Sequence, residues 1–153
     1  MKIEEMKDCM LKWQEILRLQ DWDLHFLPVE VEWRKTGDIK IDDSNHNAVL
    51  MINVCNPKRT NIEEVIIHEL LHLKLWQMDQ MIEELINLVY GREETYSKRQ
   101  FAYDQFMLTL ESTVEDLAKS FTFLGAEEKT SALGRLHQEI VEEIKTHNYT
   151  MKQ

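Results

Sequence analysis

The chain has 153 residues, the usual size of one domain, with 43% hydrophobic and 30% charged residues, a balance that excludes collagen-like and wholly disordered chains. Its formal net charge of −10 makes it a poor non-specific binder of nucleic acid, because phosphate repels it. Only 4 Gly and 2 Pro are present, which favours long helices over a many-turned β-sandwich.

Ile3, Met6, Met10, Trp13 and Leu17 recur at alternating spacings of three and four, one apolar helix stripe. It stops near Gln20-Asp21, and Pro28 forbids its continuation. Val29, Val31 and Trp33 alternate with Glu30, Glu32 and Arg34, which reads as a half-buried strand. Gly37-Asp38 is a turn signal, and Ile39 and Ile41 mark a second short strand. After the loop residues Asp42 to Asn45, Ala48 to Val54 is apolar and partly β-branched, a well-covered strand ended by Asn56-Pro57.

Thr60-Asn61-Ile62-Glu63 fits a capping box, with the Thr60 hydroxyl accepting from the first turn and Glu63 reaching back. A helix is expected from there through about Gln77, and a second from about Gln80 to Tyr90, stopped by Gly91. Arg92 to Gln100 reads as a linker or an exposed helical turn. Tyr103, Met107, Leu110, Val114, Leu117, Phe121 and Leu124 form the cleanest amphipathic helix, with Gly125 as its punctuation. Leu133, Leu136, Ile140 and Ile144 predict a final helix, followed by a frayed tail from Thr146. The charged N-terminus lacks the apolar run of a secretory signal. Val65 to Trp76 is too short and too charged to span a bilayer. The expected compartment is the cytoplasm, with no membrane contact. Cys9 and Cys55 exclude a disulfide-dense scaffold and a four-cysteine zinc site, and read as inert buried thiols.

Residues 68 to 72 read His68-Glu69-Leu70-Leu71-His72, an H-E-x-x-H motif inside a segment expected to be helical on other grounds. At about 3.6 residues per turn, positions i and i+4 share a face, so both imidazoles reach one ion. Glu69 lies beside them, placed to take a proton from a metal-activated water. Zinc suits nitrogen and carboxylate ligands and keeps an open position. Two His and a Glu among Val65, Ile66, Ile67, Leu70, Leu71 and Leu73 are costly unless something satisfies them, which favours the metal over a polar helix.

A catalytic zinc usually has three protein ligands. No third His follows at metzincin spacing, Leu75 standing at the third position after His72. His137 and His147 read as surface residues. Glu111 and Glu115 stand at i and i+4 at the edge of the Leu110/Val114/Leu117 stripe. Alone they would read as a solvated acidic face. Beside two imidazoles in need of a third ligand, one binds the metal and the other orients an imidazole through its second nitrogen.

His68-Glu69-Leu70-Leu71-His72-Leu73 with Glu111-Ser112-Thr113-Val114-Glu115-Asp116-Leu117-Ala118, after the strand Ala48 to Val54, resembles the gluzincins. These are zinc peptidases with H-E-x-x-H and a glutamate ligand on a later helix. The chain is most similar to the minimal gluzincins encoded by phages and bacteria, and more distantly to ImmA/IrrE-type peptidases. The resemblance covers roughly residues 10 to 124. It implies that Glu111 is the ligand and Glu115 its partner outside the ligand set; the second acid is Glu here where the family also uses Asp. Such enzymes often add a Tyr or His that stabilises the oxyanion. Tyr90, Tyr96, Tyr103, His25 and His46 are available; Tyr103 lies on the core stripe and reads as packing, and no spacing selects among the others.

The expected fold is α+β: a small twisted sheet packed on a zincin-like motif helix, a second helix bearing the glutamates, and a C-terminal helix. Residues 1–125 would form the metallopeptidase domain, with 126–153 packed on it. The expected function is a zinc metallopeptidase acting on peptide or protein substrates. Zn2+ would be held by His68, His72 and Glu111, with Glu69 as general base. The competing readings are a phage or bacterial zinc-binding regulator with little or latent proteolysis, and an all-helical interaction module in which the motif is a coincidence. Substrate is expected along the edge of the Ala48 to Val54 strand, at about Asn47 to Asn53, because only Cys55 to Arg59 separate it from the motif helix. The aromatic and Met stripes, including Trp13, Trp76 and Met107, read as core.

Overall fold

The computed structural model describes residues 1–93 and 95–127. It is α+β: helix α1 (Ile3–Ile16), strands β1 (Asp23–Val29), β2 (Gly37–Asp42) and β3 (Asn47–Asn53), then helices α2 (Ile62–Tyr90) and α3 (Ser97–Gly125). The expected C-terminal helix, with His137 and His147, lies outside the described residues. Among the described residues no helix is long and apolar enough to cross a membrane.

The α1 stripe forms as its spacing predicts, with Met6, Met10 and Trp13 buried. The helix ends earlier than expected, at Ile16, where Leu17 caps it and Arg18 turns the chain at φ 56°. The strand expected at Val29 to Trp33 is displaced. β1 ends at Val29, and Val31 is 68% exposed. Leu24 and Phe26 pack on the core instead. Pro28 is tolerated because, among the described residues, β1 is an edge strand paired only with β3. The segment after it is held in irregular form by Asn53. The Asn53 Nδ2 donates to the carbonyls of Trp33 at 3.1 Å and Lys35 at 2.9 Å, and its Oδ1 accepts from the N–H groups of Cys55 and Asn56.

The sheet order is β1-β3-β2, with β1 parallel and β2 antiparallel to β3. The strand expected at Ala48 to Val54 is therefore central and paired on both sides. It has no free edge, and the expectation that Asn47 to Asn53 bind substrate is overturned. Its inner face, Ala48, Leu50 and Ile52, is buried against the helices.

Two helices were expected between Thr60 and Gly91; one helix of 29 residues forms. No Gly or Pro stands between Gln77 and Gln80 to break it. Gly91, at φ 84°, does end it. The cap is Asn61, whose side chain accepts from the Glu64 N–H at 3.0 Å, and not Thr60. Glu63 does not reach back. It binds the Trp13 Nε1 at 2.8 Å, Lys12 at 3.1 Å and the Glu127 N–H at 3.0 Å, tying α1, α2 and the chain after α3 together.

Burial alone would raise the Glu63 pKa; the Trp13 and Lys12 donors outweigh it and hold the carboxyl below its ordinary value. Its stabilising effect is therefore present above the unfolded Glu pKa and is lost as pH falls through the lower, folded one. Glu63→Gln should cost about 1–3 kcal/mol at pH 7, and the gap to the parent should close as pH falls below about 4. Urea midpoints across that range measure it; a gap independent of pH would show that the charge contributes nothing.

α2 and α3 form an antiparallel hairpin joined by residues 91–96. Gly125 is the last residue of α3. Cys9 is buried, and burial pushes its thiol up to about 12. Cys55 is exposed, not buried as expected, because it lies past the end of β3.

Candidate metal centre

The antiparallel pairing of α2 and α3 sets His68 opposite Glu115 and His72 opposite Glu111. The Nε2 atoms of His68 and His72 lie 3.2 Å apart. The Glu111 carboxylate straddles them, Oε1 at 3.4 Å from His72 Nε2 and Oε2 at 3.6 Å from His68 Nε2. Four ligands about 2.0–2.1 Å from a tetrahedral zinc sit roughly 3.3 Å from one another. The two imidazole nitrogens already have that spacing, and each has one Glu111 oxygen at a similar distance. His68, His72 and Glu111 are thus a group that could hold a metal ion.

The other nitrogen of His68 supports the same reading. Nδ1 lies 3.3 Å from Glu115 Oε2, a charge contact off the line of a hydrogen bond, and it is buried with no hydrogen-bond partner among the described residues. For Nε2 to ligate, the proton must sit on Nδ1, the side that Glu115 faces. Glu115 is fixed there by Arg59 at 3.0 Å and Lys119 at 3.3 Å, and these cations overcome its desolvation to keep its pKa low. Arg59 had no sequence signal beyond being a cation in the β3–α2 connection. It also lies 3.8 Å from Glu64, whose pKa burial and the Glu115 charge raise.

The two imidazoles differ. Burial lowers His72, whereas for His68 the Glu111 contact and the charges of Glu69, Glu111 and Glu115 outweigh burial and raise it. Glu111 is held low, first by its contact with His68. Glu69 stands apart from the donor group. Burial lifts it to about 7, with His68 opposing and Asp38 and Glu111 adding.

The motif helix and β2 meet at Gly37. A Cβ on Gly37 would sit 2.6 Å from Val65 Cγ1 and 3.0 Å from Glu69 Oε1. Only glycine lets the start of β2 approach α2 this closely. Gly37→Ala should therefore cost about 1–3 kcal/mol and displace the Glu69 carboxylate. Urea unfolding measures the first and a crystal structure of the variant the second; parent-like stability would mean that Val65 yields freely.

A cavity of about 410 Å³ opens beside the donors. Glu69, His68, His72 and Glu111 line it, together with Gly37, Ile39 and Ile41 of β2 and Trp76 and Met107 of the helices. Trp76 and Met107, expected to be core, pack against it half-buried and also form part of this wall. None of the five aromatic candidates for oxyanion stabilisation lines it. His25 pairs with Asp23 at the surface, His46 closes the β2–β3 turn against Trp22, and Tyr103 lies under Arg99. Tyr90 and Tyr96 sit at the far end of the hairpin. The cation that does line the cavity is Lys35, which carries no sequence signal beyond its place in a loop.

Comparison with protein-family models, curated proteins and solved structures finds no match for the chain. The chemistry has to be read from the side chains themselves.

Proposed function

We propose that the protein is a zinc-dependent metallopeptidase. The observation that carries this is the convergence of His68 Nε2 and His72 Nε2, 3.2 Å apart, on the Glu111 carboxylate, whose two oxygens lie 3.4 and 3.6 Å from them, with Glu69 in the same cavity. When bound there, zinc would supply Lewis acidity to a scissile carbonyl and make a water easier to deprotonate. Glu69, which accepts no hydrogen bond among the described residues, takes the proton from the attacking water and passes it to the leaving amine. Glu115 faces the outer nitrogen of the His68 ring and its charge favours the tautomer that carries the proton there. β2 is the edge strand that borders the cavity, so it is the strand that an extended peptide can join through backbone hydrogen bonds. This replaces β3 as the candidate substrate edge.

The test is metal analysis of protein purified without chelator, followed by cleavage of a peptide library. The expected result is one zinc per chain and hydrolysis that a chelator abolishes and added zinc restores. Zinc with no cleavage of any peptide would favour a zinc-binding regulator of phage or bacterial type. Protein that takes up no metal would reduce the motif to coincidence.

A further inference from the structure

The cavity contains two carboxylates besides Glu69 and Glu111, and they are in different states. Asp38 is already neutralised, by Lys35 at 3.0 Å and Lys40 at 2.8 Å, which overcome its desolvation and hold its pKa low. Asp79 forms no ion pair and no hydrogen bond among the described residues. It is half-buried, and burial and then the Glu83 charge push its pKa up with no cation among the described residues opposing them. A partly desolvated carboxylate without a cation is a costly thing to keep in a cavity wall.

Its position indicates what would pair with it. Asp79 lies seven residues beyond His72 on α2, about 10 Å along the axis. Trp76 stands between them, four residues after one and three before the other, so the three share a face. From α3, Met107 comes one turn before Glu111 and lines the same wall. Moving outward from the metal donors, the cavity is therefore apolar first and anionic at its end. A terminal amine beside the scissile bond would sit among the donors, too far from Asp79. The stem of a Lys or Arg side chain matches both the apolar stretch and the distance.

Resting on the peptidase reading above, we propose that this cavity is a side-chain subsite selecting a Lys or Arg that flanks the scissile bond. Asp79 binds the cation, and Trp76 and Met107 cover the stem. The indole face attracts the cation in its own right. Lys35 does not compete for Asp79, because it is engaged by Asp38. The strongly acidic chain adds a field that favours cationic peptides over acidic ones.

The experiment uses the full-length, zinc-loaded protein. Matched peptides, and peptide hydroxamates that anchor on the metal, carry Lys, Leu or Glu at either residue flanking the reactive group. The expected preference for Lys over Leu is about tenfold, in kcat/KM and in hydroxamate affinity. That ratio should fall to near one in Asp79→Asn, and Asp79→Lys should turn the preference toward Glu. Equal affinity of the parent for Lys and Leu hydroxamates overturns the subsite, as does a Lys preference that survives both variants. A Lys preference in the hydroxamates with no hydrolysis of any peptide overturns the peptidase reading and leaves the subsite standing. No hydroxamate binding at all overturns both.

Discussion

Glu69→Gln is expected to leave fold and metal binding in place and to cut peptide hydrolysis by about 10²-fold or more. The substitution is isosteric, and the Glu69 carboxylate is not among the clustered donors. Its removal also breaks no hydrogen bond among the described residues. What it removes is the ability to accept a proton, since an amide cannot take one from water near neutral pH. In the metal-free site burial lifts the Glu69 carboxyl to about 7, and a zinc beside it would lower it again, so that Glu69 would meet the attacking water as a carboxylate able to accept a proton. The comparison needs zinc titrations and kcat/KM on the best peptide for parent and variant. Equal zinc affinity with collapsed turnover is the expected pair of results. Parent-like hydrolysis by the variant would remove Glu69 from the chemistry.

How much of this was legible in sequence depends on how local each feature is. H-E-x-x-H could be read because helical geometry alone puts His68 and His72 on one face, and their Nε2 atoms do meet at 3.2 Å. Glu111 and Glu115 could be recognised as a spaced pair. Their division of labour depends on the register of α3 against α2, which residues 91–96 and the packing between the helices decide. The sheet was less legible. Val29, Val31 and Trp33 alternate as well as any strand, but Asn53 binds the carbonyls of Trp33 and Lys35, and that long-range contact takes the segment out of the sheet. Nor does strand order follow from sequence, so β3 was expected at an edge and is found in the centre. Thr60 and Asn61 are both competent caps, and one residue of register decides between them. Trp76 and Met107 belong to the core by composition. Their place in the cavity wall follows from the packing of α3 against α2 and of β2 against α2, which are tertiary contacts.

Glu111→Gln is expected to weaken zinc binding by more than about 100-fold, and Glu115→Gln by about 10- to 100-fold. The two acids are the same residue type, one helical turn apart, so chemistry alone does not rank them. Geometry does. Glu111 places its two oxygens against the Nε2 atoms of both imidazoles, at 3.4 and 3.6 Å, on the side where those nitrogens converge. Glu115 touches the opposite nitrogen of one ring, His68 Nδ1, at 3.3 Å. It is also held back by Arg59 and Lys119, so moving it onto an ion at the Nε2 side would break both pairs. Gln at 111 removes a negative charge from the donor group itself. Gln at 115 leaves all three donors and loses only the charge that favours the His68 tautomer with Nδ1 protonated. Competition titrations against a chromophoric chelator, with circular dichroism to show that both variants are folded, measure the order. A larger loss in Glu115→Gln would put Glu115 on the metal and slide α3 by one turn against the motif helix.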